Sequence, residues 1–206
     1  MTTPNWLVWA QKLQAIAQSG LAYTQNPFER ERYHEVSEIA AEMLSEQSGV
    51  EAPFLQEVFA AEAGYATPKL DVRGVVFRDG KILLVRELSD GGWTLPGGWV
   101  DVNNTPSGAV EREVWEETGY RVKAKKLLAL YDRNQHGHTP YIFHLFKMYF
   151  LCDLIGGEPA DSVETSGAAF FDEEHIPPLS LARTTPEVLA RLFKHYRHPE
   201  WQTDFD

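Results

Sequence analysis

The chain has 206 residues, a formal net charge of −11 and a hydrophobic fraction of 43%. This length supports one domain of ordinary size with a small addition, and the apolar content suffices for a packed core. The acidic charge argues against stable DNA binding, which needs Lys and Arg to neutralise phosphates. It is compatible with polyphosphate substrates when divalent cations bridge the like charges. Cys152 is the single cysteine, so an internal disulfide is excluded.

The start of the chain shows no secretory signal. Trp6–Ala10 is a short apolar stretch, followed by polar residues and preceded by no basic residue. No segment approaches the roughly 20 apolar residues that a membrane-spanning helix needs. These features predict a cytoplasmic protein that does not associate with a membrane.

The first third of the chain has helical periodicity. Apolar residues recur at steps of three and four over Trp6–Leu21. A second helix is predicted to begin after Asn26–Pro27 and to end near Ser48–Gly49, and a third to run from Pro53 to Gly64.

We therefore expect a small all-helical domain over residues 1–66 and a second domain over residues 67–206. The helical segment carries three basic side chains against nine glutamates. That balance argues against a helical module that reads DNA. A homodimer interface, or a cap beside an active site, better explains its apolar faces.

From Leu70 the pattern changes to strands. Asp79–Gly80 separates two apolar runs and predicts a two-residue hairpin turn, in which both positions have positive φ. Strands and helices then follow without regular alternation, which predicts a mixed α/β domain rather than a doubly wound sheet. The later elements are predicted as strands over Leu127–Tyr131, Tyr141–Leu151 and Ala168–Phe171 and a helix over Pro186–Tyr196.

One helix, predicted over Pro106–Thr118, has clear boundaries. Thr105 is a suitable N-cap, Pro106 suits the first helical position, and Gly119 suits the position just past the end. The chemistry of the chain is expected to lie on this helix, because it carries a cluster of glutamates.

Three of those glutamates project from one side of the helix. Glu113 precedes Glu116 by three residues and Glu117 by four. Like charges on one face destabilise a helix unless something compensates, and carboxylate oxygens are the ligands that hard divalent cations prefer. The alternative is a solvated acidic face in which Arg112 pairs with Glu116.

The register around these glutamates resembles the Nudix box. Asn104 stands where the family usually has glutamate, and an amide accepts hydrogen bonds but carries no charge. This departure bears on metal affinity or rate and leaves the three main carboxylates in place. The positions that match the family pattern are Gly98, Arg112, Glu113, Val114, Glu116, Glu117 and Gly119.

The resemblance implies an α/β/α Nudix sandwich and a hydrolase that uses Mg²⁺ or Mn²⁺ to cleave a diphosphate with water. By matching position, Glu113, Glu116 and Glu117 are metal ligands, one of which also accepts the proton of the water, and Arg112 orients them. Gly97 and Gly98 let the backbone approach the metal and the substrate. Glu164 is an additional candidate for the base or a ligand; the alternative is a structural role on a loop.

The resemblance extends to the N-terminal helices of one Nudix subgroup, whose members are associated with hydrolysis of ADP-ribose or CDP-choline. Rival functions are an RNA-end-processing or 3′–5′ exonuclease-like enzyme and a catalytically inactive regulatory module that binds a nucleotide. Arg73 is a candidate for binding substrate phosphate, the alternative being a salt bridge to a box glutamate. The polar loop after the Leu127–Tyr131 strand supplies the further candidates Asp132, Arg133 and His136.

Overall fold

The computed structural model describes residues 3–160, 162 and 165–206. The chain divides into two compact units. The helical unit takes in the chain up to Pro68 together with Pro140–His144, and the sheet unit comprises Lys69–Thr139 and Leu145–Asp206. Among the described residues, none of the helices combines the length and apolar character that a membrane crossing requires.

The helical unit contains the helices α1 (Asn5–Tyr23), α2 (Pro27–Ser48) and α3 (Ala52–Ala61). The side chain of Asn26 caps α2 by accepting a hydrogen bond from the Phe28 N–H at 2.9 Å. The three predicted helices are confirmed, although α3 ends before the predicted Gly64. Their core is formed by buried residues of all three helices, among them Leu7, Ala10, Ala41, Leu44, Leu55 and Phe59.

The strand predicted over Tyr141–Leu151 is wrong at its beginning. It starts at Leu145, because residues Pro140–His144 belong to the helical unit. Ile142 packs against the core of that unit, and the Tyr141 carbonyl accepts a hydrogen bond from Gln11 Nε2 at 3.0 Å. The continuous apolar run hid this change of surroundings, since periodicity reports that a residue is buried but not against what.

The elements of the sheet unit in chain order are β1 (Lys69–Arg78), β2 (Lys81–Glu87), β3 (Trp93–Thr94), α4 (Pro106–Thr118), β4 (Tyr120–Asp132), β5 (Leu145–Gly157), β6 (Thr165–Phe171), α5 (Pro186–Arg197) and β7 (Asp204–Phe205). Among the described residues, the strands form a seven-stranded sheet with the order β3-β2-β1-β5-β4-β7, in which β6 pairs with β2. Asp79 and Gly80 have φ of 52° and 77° and connect β1 to β2, as the hairpin prediction required.

The α-helices α4 and α5 each contribute to a separate apolar core. Val110 and Val114 of α4 pack with Val72 and Val76 of β1. Leu189 and other residues of α5 pack in a second core with Val75, whose side chain points to the opposite face of β1. The result is helix on both sides of a sheet, so the predicted mixed α/β/α architecture with an N-terminal helical part is confirmed.

Candidate active site

The helix that carries the glutamates has the predicted boundaries, Pro106–Thr118. Thr105 Oγ1 accepts a hydrogen bond from the Gly108 N–H at 3.1 Å, which satisfies one of the free donors at the helix start. Gly119 ends the helix with φ of 73°, a left-handed conformation that glycine adopts at no steric cost. Purely local features thus fix the helix on which the candidate site depends.

The turn at Gly97–Gly98 lies against both β1 and α4. A Cβ on Gly97 would lie 2.0 Å from the Val72 carbonyl oxygen, and φ of 141° is itself suited to glycine. A Cβ on Gly98 would lie 2.9 Å from Glu113 Oε2. Only glycine at position 97 allows the turn to approach the strand so closely, and glycine at position 98 avoids displacing the Glu113 carboxylate.

Glu117 is the buried carboxylate of the helix, with 8% of its surface exposed. Its Oε2 accepts a hydrogen bond from the Gly97 N–H at 3.0 Å. Burial raises the pKa of Glu117 to about 8, against the opposing effects of Arg73 and the Gly97 N–H, and the charges of Glu113 and Glu87 raise it further. The site thus holds an acidic group whose charge the surrounding side chains do not fully compensate.

The other two glutamates of the cluster pair with Arg112. Its guanidinium lies 2.9 Å from Glu113 and 3.1 Å from Glu116. A third carboxylate, that of Asp101, lies 3.1 Å from Arg112. Asn104, which departs from the family pattern, donates its backbone N–H to the Asp101 carbonyl at 3.1 Å. Asp101 thus supplies Arg112 with a carboxylate from the segment that contains Asn104.

Arg73 lies in the interior and is only 5% exposed. Its Nε and Nη2 donate to the two carboxylate oxygens of Asp71 at 2.9 and 2.7 Å, and its Nη1 donates to the Leu95 carbonyl at 3.0 Å. The alternative predicted for Arg73 was a salt bridge to a glutamate of the Nudix box. The structure instead shows an ion pair between Arg73 and Asp71. Burial opposes the charge of Arg73, but the charge and hydrogen bonding of Asp71 raise its pKa, and the charge of Glu117 raises it further.

The candidates at the end of β4 and in the loop that follows it make contacts within the sheet unit. Asp132 accepts a hydrogen bond from the Asn134 N–H at 2.9 Å. Arg133 is buried and donates to the Ala182 carbonyl at 3.0 Å. His136 lies 2.8 Å from a carboxylate oxygen of Asp206. Glu164, the additional candidate for the base, lies outside the described residues.

Several charged residues near the site were not among the sequence candidates. Asp71 and Lys147 are buried beside Arg73. Glu87 is buried, pairs with Arg183 at 2.9 Å and raises the pKa of Glu117. One signal was available for Asp71, because residues two apart on a strand point to the same face and opposite charges there can pair. Lys147 and Glu87 are brought near the site by strand pairing between segments that are far apart in the sequence.

Comparison with known proteins agrees with this arrangement. Residues 67–192 match the family described as "NUDIX domain", and residues 4–59 match "UDP-X-like, N-terminal oligomerisation domain". A Bacillus subtilis protein named "Putative ADP-ribose pyrophosphatase YjhB" is 43% identical over 202 residues, which cover 98% of this chain and 97% of that protein.

Solved structures show the same relationship. A crystal structure of a UDP-X diphosphatase is 32% identical with a TM-score of 0.64 and covers all of both chains. A crystal structure of an ADP-ribose pyrophosphatase from Streptococcus suis is 42% identical with a TM-score of 0.62, covering 68% of this chain and 100% of that one.

The chain therefore belongs to the Nudix family, as the glutamate helix and the Gly97–Gly98 turn indicated. It carries the additional N-terminal helical domain of the UDP-X-like members. The prediction of a Nudix-type pyrophosphatase is confirmed, and with it the coarser function, hydrolysis of a nucleoside diphosphate that is linked to another moiety.

Proposed function

We propose that this chain hydrolyses the diphosphate of a nucleoside diphosphate linked to a sugar, of the ADP-ribose or UDP-linked type, and releases a nucleoside monophosphate. Glu113, Glu116 and Glu117 bind the Mg²⁺ or Mn²⁺ that the reaction requires. The observation that carries this proposal is the buried carboxylate of Glu117, which faces the glycine turn and lies near two further carboxylates.

The residues of the site fit a hard divalent cation. The donors are carboxylate oxygens, the type that Mg²⁺ prefers, and burial is the main cause that raises the pKa of Glu117, so a cation beside it would stabilise its ionised form. Within the described part of the chain, no three His, Cys, Asp or Glu side chains form a ready cluster for a metal. Two of the proposed ligands, Glu113 and Glu116, are paired with Arg112. Arg112 is therefore placed to orient these two ligands for the cation.

The side chains of the site have distinct roles in the proposed reaction. A divalent cation held by Glu113, Glu116 and Glu117 would neutralise phosphate oxygens and lower the pKa of the attacking water. The Gly97 N–H holds Glu117, and Arg112 holds Glu113 and Glu116 on the same side of α4. One of these carboxylates accepts the proton of the water as its oxygen attacks phosphorus and the bond to the leaving phosphate breaks. Gly98, lacking a side chain, leaves room for the substrate next to Glu113.

The names of the relatives support the choice of substrate class. The Bacillus subtilis and Streptococcus suis proteins are named for ADP-ribose, and the UDP-X diphosphatase for a UDP-linked compound. CDP-choline shares the nucleoside diphosphate part but ends in a quaternary ammonium rather than a sugar. We therefore place the sugar-linked compounds ahead of it.

A substrate panel tests this proposal. The full chain is incubated with Mg²⁺ or Mn²⁺ and ADP-ribose, UDP-linked sugars, CDP-choline or RNA carrying a 5′-triphosphate, and the products are separated by chromatography. We expect a nucleoside monophosphate from the sugar-linked compounds, with the highest kcat/KM for one of them. Turnover of RNA alone, or of no compound in the panel, would contradict the proposal.

We further propose that the helical unit joins two copies of the chain. Trp9, Ile16 and Tyr23 follow one another at seven-residue steps on α1, and their side chains are 56%, 58% and 71% exposed. This spacing places them along one side of the helix. An exposed apolar stripe of this kind is typical of a surface that a partner covers, and the oligomerisation name of the matching family favours a second copy as that partner.

Light scattering after size exclusion tests the dimer. Replacing Trp9 and Ile16 together by Gln should convert a dimer of about twice the 23.4 kDa chain mass into a monomer. Replacing the exposed Glu42 and Glu46 of α2 by Gln is the matched control and should leave the dimer intact. A wild-type chain that is monomeric at micromolar concentration would contradict the proposal.

A further inference from the structure

Three ionisable side chains form a cluster in the interior of the sheet unit. Asp71 accepts two hydrogen bonds from Arg73 and one from Lys147 Nζ at 2.8 Å. The side chains of Arg73, Asp71 and Lys147 are 6%, 8% and 3% exposed. Burying charges in this way is costly unless they are paired with good geometry, so the cluster requires an explanation.

Strand pairing brings the cluster together. Strands β1 and β5 are parallel, with Asp71 opposite Lys147 and Arg73 opposite Tyr149. Asp71 and Arg73 are two residues apart on β1 and so point to the same face of the sheet. Asp71 and Lys147 are 76 residues apart in the sequence, and the pairing of two adjacent strands brings their side chains into contact.

The cluster is connected to the glycine turn of the candidate site. Arg73 Nη1 donates to the carbonyl of Leu95, and the Gly74 N–H donates to the carbonyl of Pro96 at 2.8 Å. The next residue is Gly97, whose N–H donates to Glu117. Arg73 therefore fixes the backbone at Leu95, two residues before Gly97, whose N–H fixes the carboxylate of Glu117.

The charges of the cluster also favour this connection. Asp71 and Arg73 offset each other's charge, whereas burial and the nearby Arg73 lower the pKa of Lys147 to about 7. Glu117 is the carboxylate of α4 whose charge acts on Arg73. All three nitrogens of Arg73 are engaged with Asp71 and Leu95, which leaves its guanidinium in a fixed place. An arginine that binds a substrate phosphate needs guanidinium N–H groups directed at the substrate, whereas those of Arg73 are directed at Asp71 and Leu95.

We propose that Asp71, Arg73 and Lys147 are positioning residues that hold the Gly97 turn against Glu117 and so set the affinity of the site for its divalent cation. The proposal rests on the proposed function, since it takes Glu117 as a metal ligand. Lys147 acts through Asp71, and Asp71 acts through Arg73. Neighbours that orient a metal ligand in this way commonly change metal affinity by about 10- to 100-fold when they are replaced.

A direct titration with Mn²⁺, followed by electron paramagnetic resonance on the full chain without substrate, tests the proposal. Arg73→Lys keeps the charge but loses the two-pronged contact with Asp71, and should weaken Mn²⁺ binding by about 10-fold or more. The double variant Asp71→Asn with Lys147→Met removes the acid and the base of this pair together and should weaken binding in the same direction. If Arg73→Lys does not fold, the double variant tests the positioning role in its place.

Lys125→Met is the matched control, because Lys125 forms an exposed ion pair with Asp153 on the same sheet. It should bind Mn²⁺ as the wild type does. Unchanged Mn²⁺ affinity in both cluster variants would overturn the positioning role and leave the proposed function intact. Absence of Mn²⁺ binding by the wild type would overturn both. A raised KM for the nucleotide with unchanged Mn²⁺ affinity would instead assign Arg73 to substrate binding and also overturn the proposal.

Discussion

Two ionic clusters lie near the same glutamates, and they differ in burial. The cluster of Asp71, Arg73 and Lys147 is almost completely buried. In the cluster around Arg112, the side chains of Arg112 and Asp101 are 36% and 67% exposed. Water screens the second cluster and not the first, so similar contact distances correspond to different energies. Burial, rather than the number of ion pairs, decides which cluster the fold depends on.

The largest expected effect on stability is at Asp71. Replacing it by Asn leaves the buried side chains of Arg73 and Lys147 without their carboxylate, and should lower the free energy of unfolding by about 3 kcal/mol. Lys125→Met removes an exposed pair and should cost about 1 kcal/mol or less. Urea denaturation of both variants measures the difference. Equal losses would show that burial does not separate the two classes of ion pair.

A third cluster, near the C-terminus, has intermediate exposure. Asp204 is 20% exposed, and it accepts hydrogen bonds from Arg191, His195 and Tyr131. Hydrogen bonding to Arg191 is the main cause that lowers the pKa of Asp204, and burial opposes it. We expect Asp204→Asn to lower the free energy of unfolding at pH 7 by about 2 kcal/mol.

The sign of the pH dependence follows from the lowered pKa. The stabilisation by Asp204 is fully present above the ordinary aspartate pKa of about 4 and is lost as the pH falls towards the lower folded-state value. The difference in unfolding free energy between wild type and Asp204→Asn should therefore be constant from pH 7 to 5 and shrink below about pH 4. A difference that grows on acidification would contradict this assignment.

The smallest effect on stability is expected at Arg112. Its ion pairs with Asp101, Glu113 and Glu116 are partly exposed, so Arg112→Gln should change the free energy of unfolding by less than about 1 kcal/mol. The same change should lower kcat, because two proposed metal ligands lose the side chain that orients them. Thermal melting and steady-state kinetics on one preparation separate the two effects. A variant that melts much earlier would show that the exposed cluster is structural.

The elements predicted most accurately from the sequence are those whose boundaries depend only on neighbouring residues. The helix over Pro106–Thr118 is marked by its own cap and terminal glycine, and the hairpin by Asp79–Gly80. The start of β5 could not be predicted, because the apolar residues before Leu145 pack in the helical unit. Local patterns do not contain the tertiary partner that a residue will meet.

The same limit applies to the candidate site. The spacing of the three glutamates on α4 was evident from the sequence, since it depends on the helical repeat alone. The partner of Arg73 was not identified, although Asp71 lies two residues away on the same strand. Lys147 required the register of β1 against β5, which arises from pairing between segments far apart in the chain. Non-local pairing therefore accounts for the buried part of the site.

The most direct test of the central claim is a comparison of wild type and Glu117→Gln on the sugar-linked nucleotide that the wild type hydrolyses best. We predict that nucleoside monophosphate release falls by at least about 100-fold. The melting temperature should stay the same or rise, because an amide removes a buried charge that is only partly compensated. Activity within a few-fold of wild type in a folded Glu117→Gln variant would contradict the account.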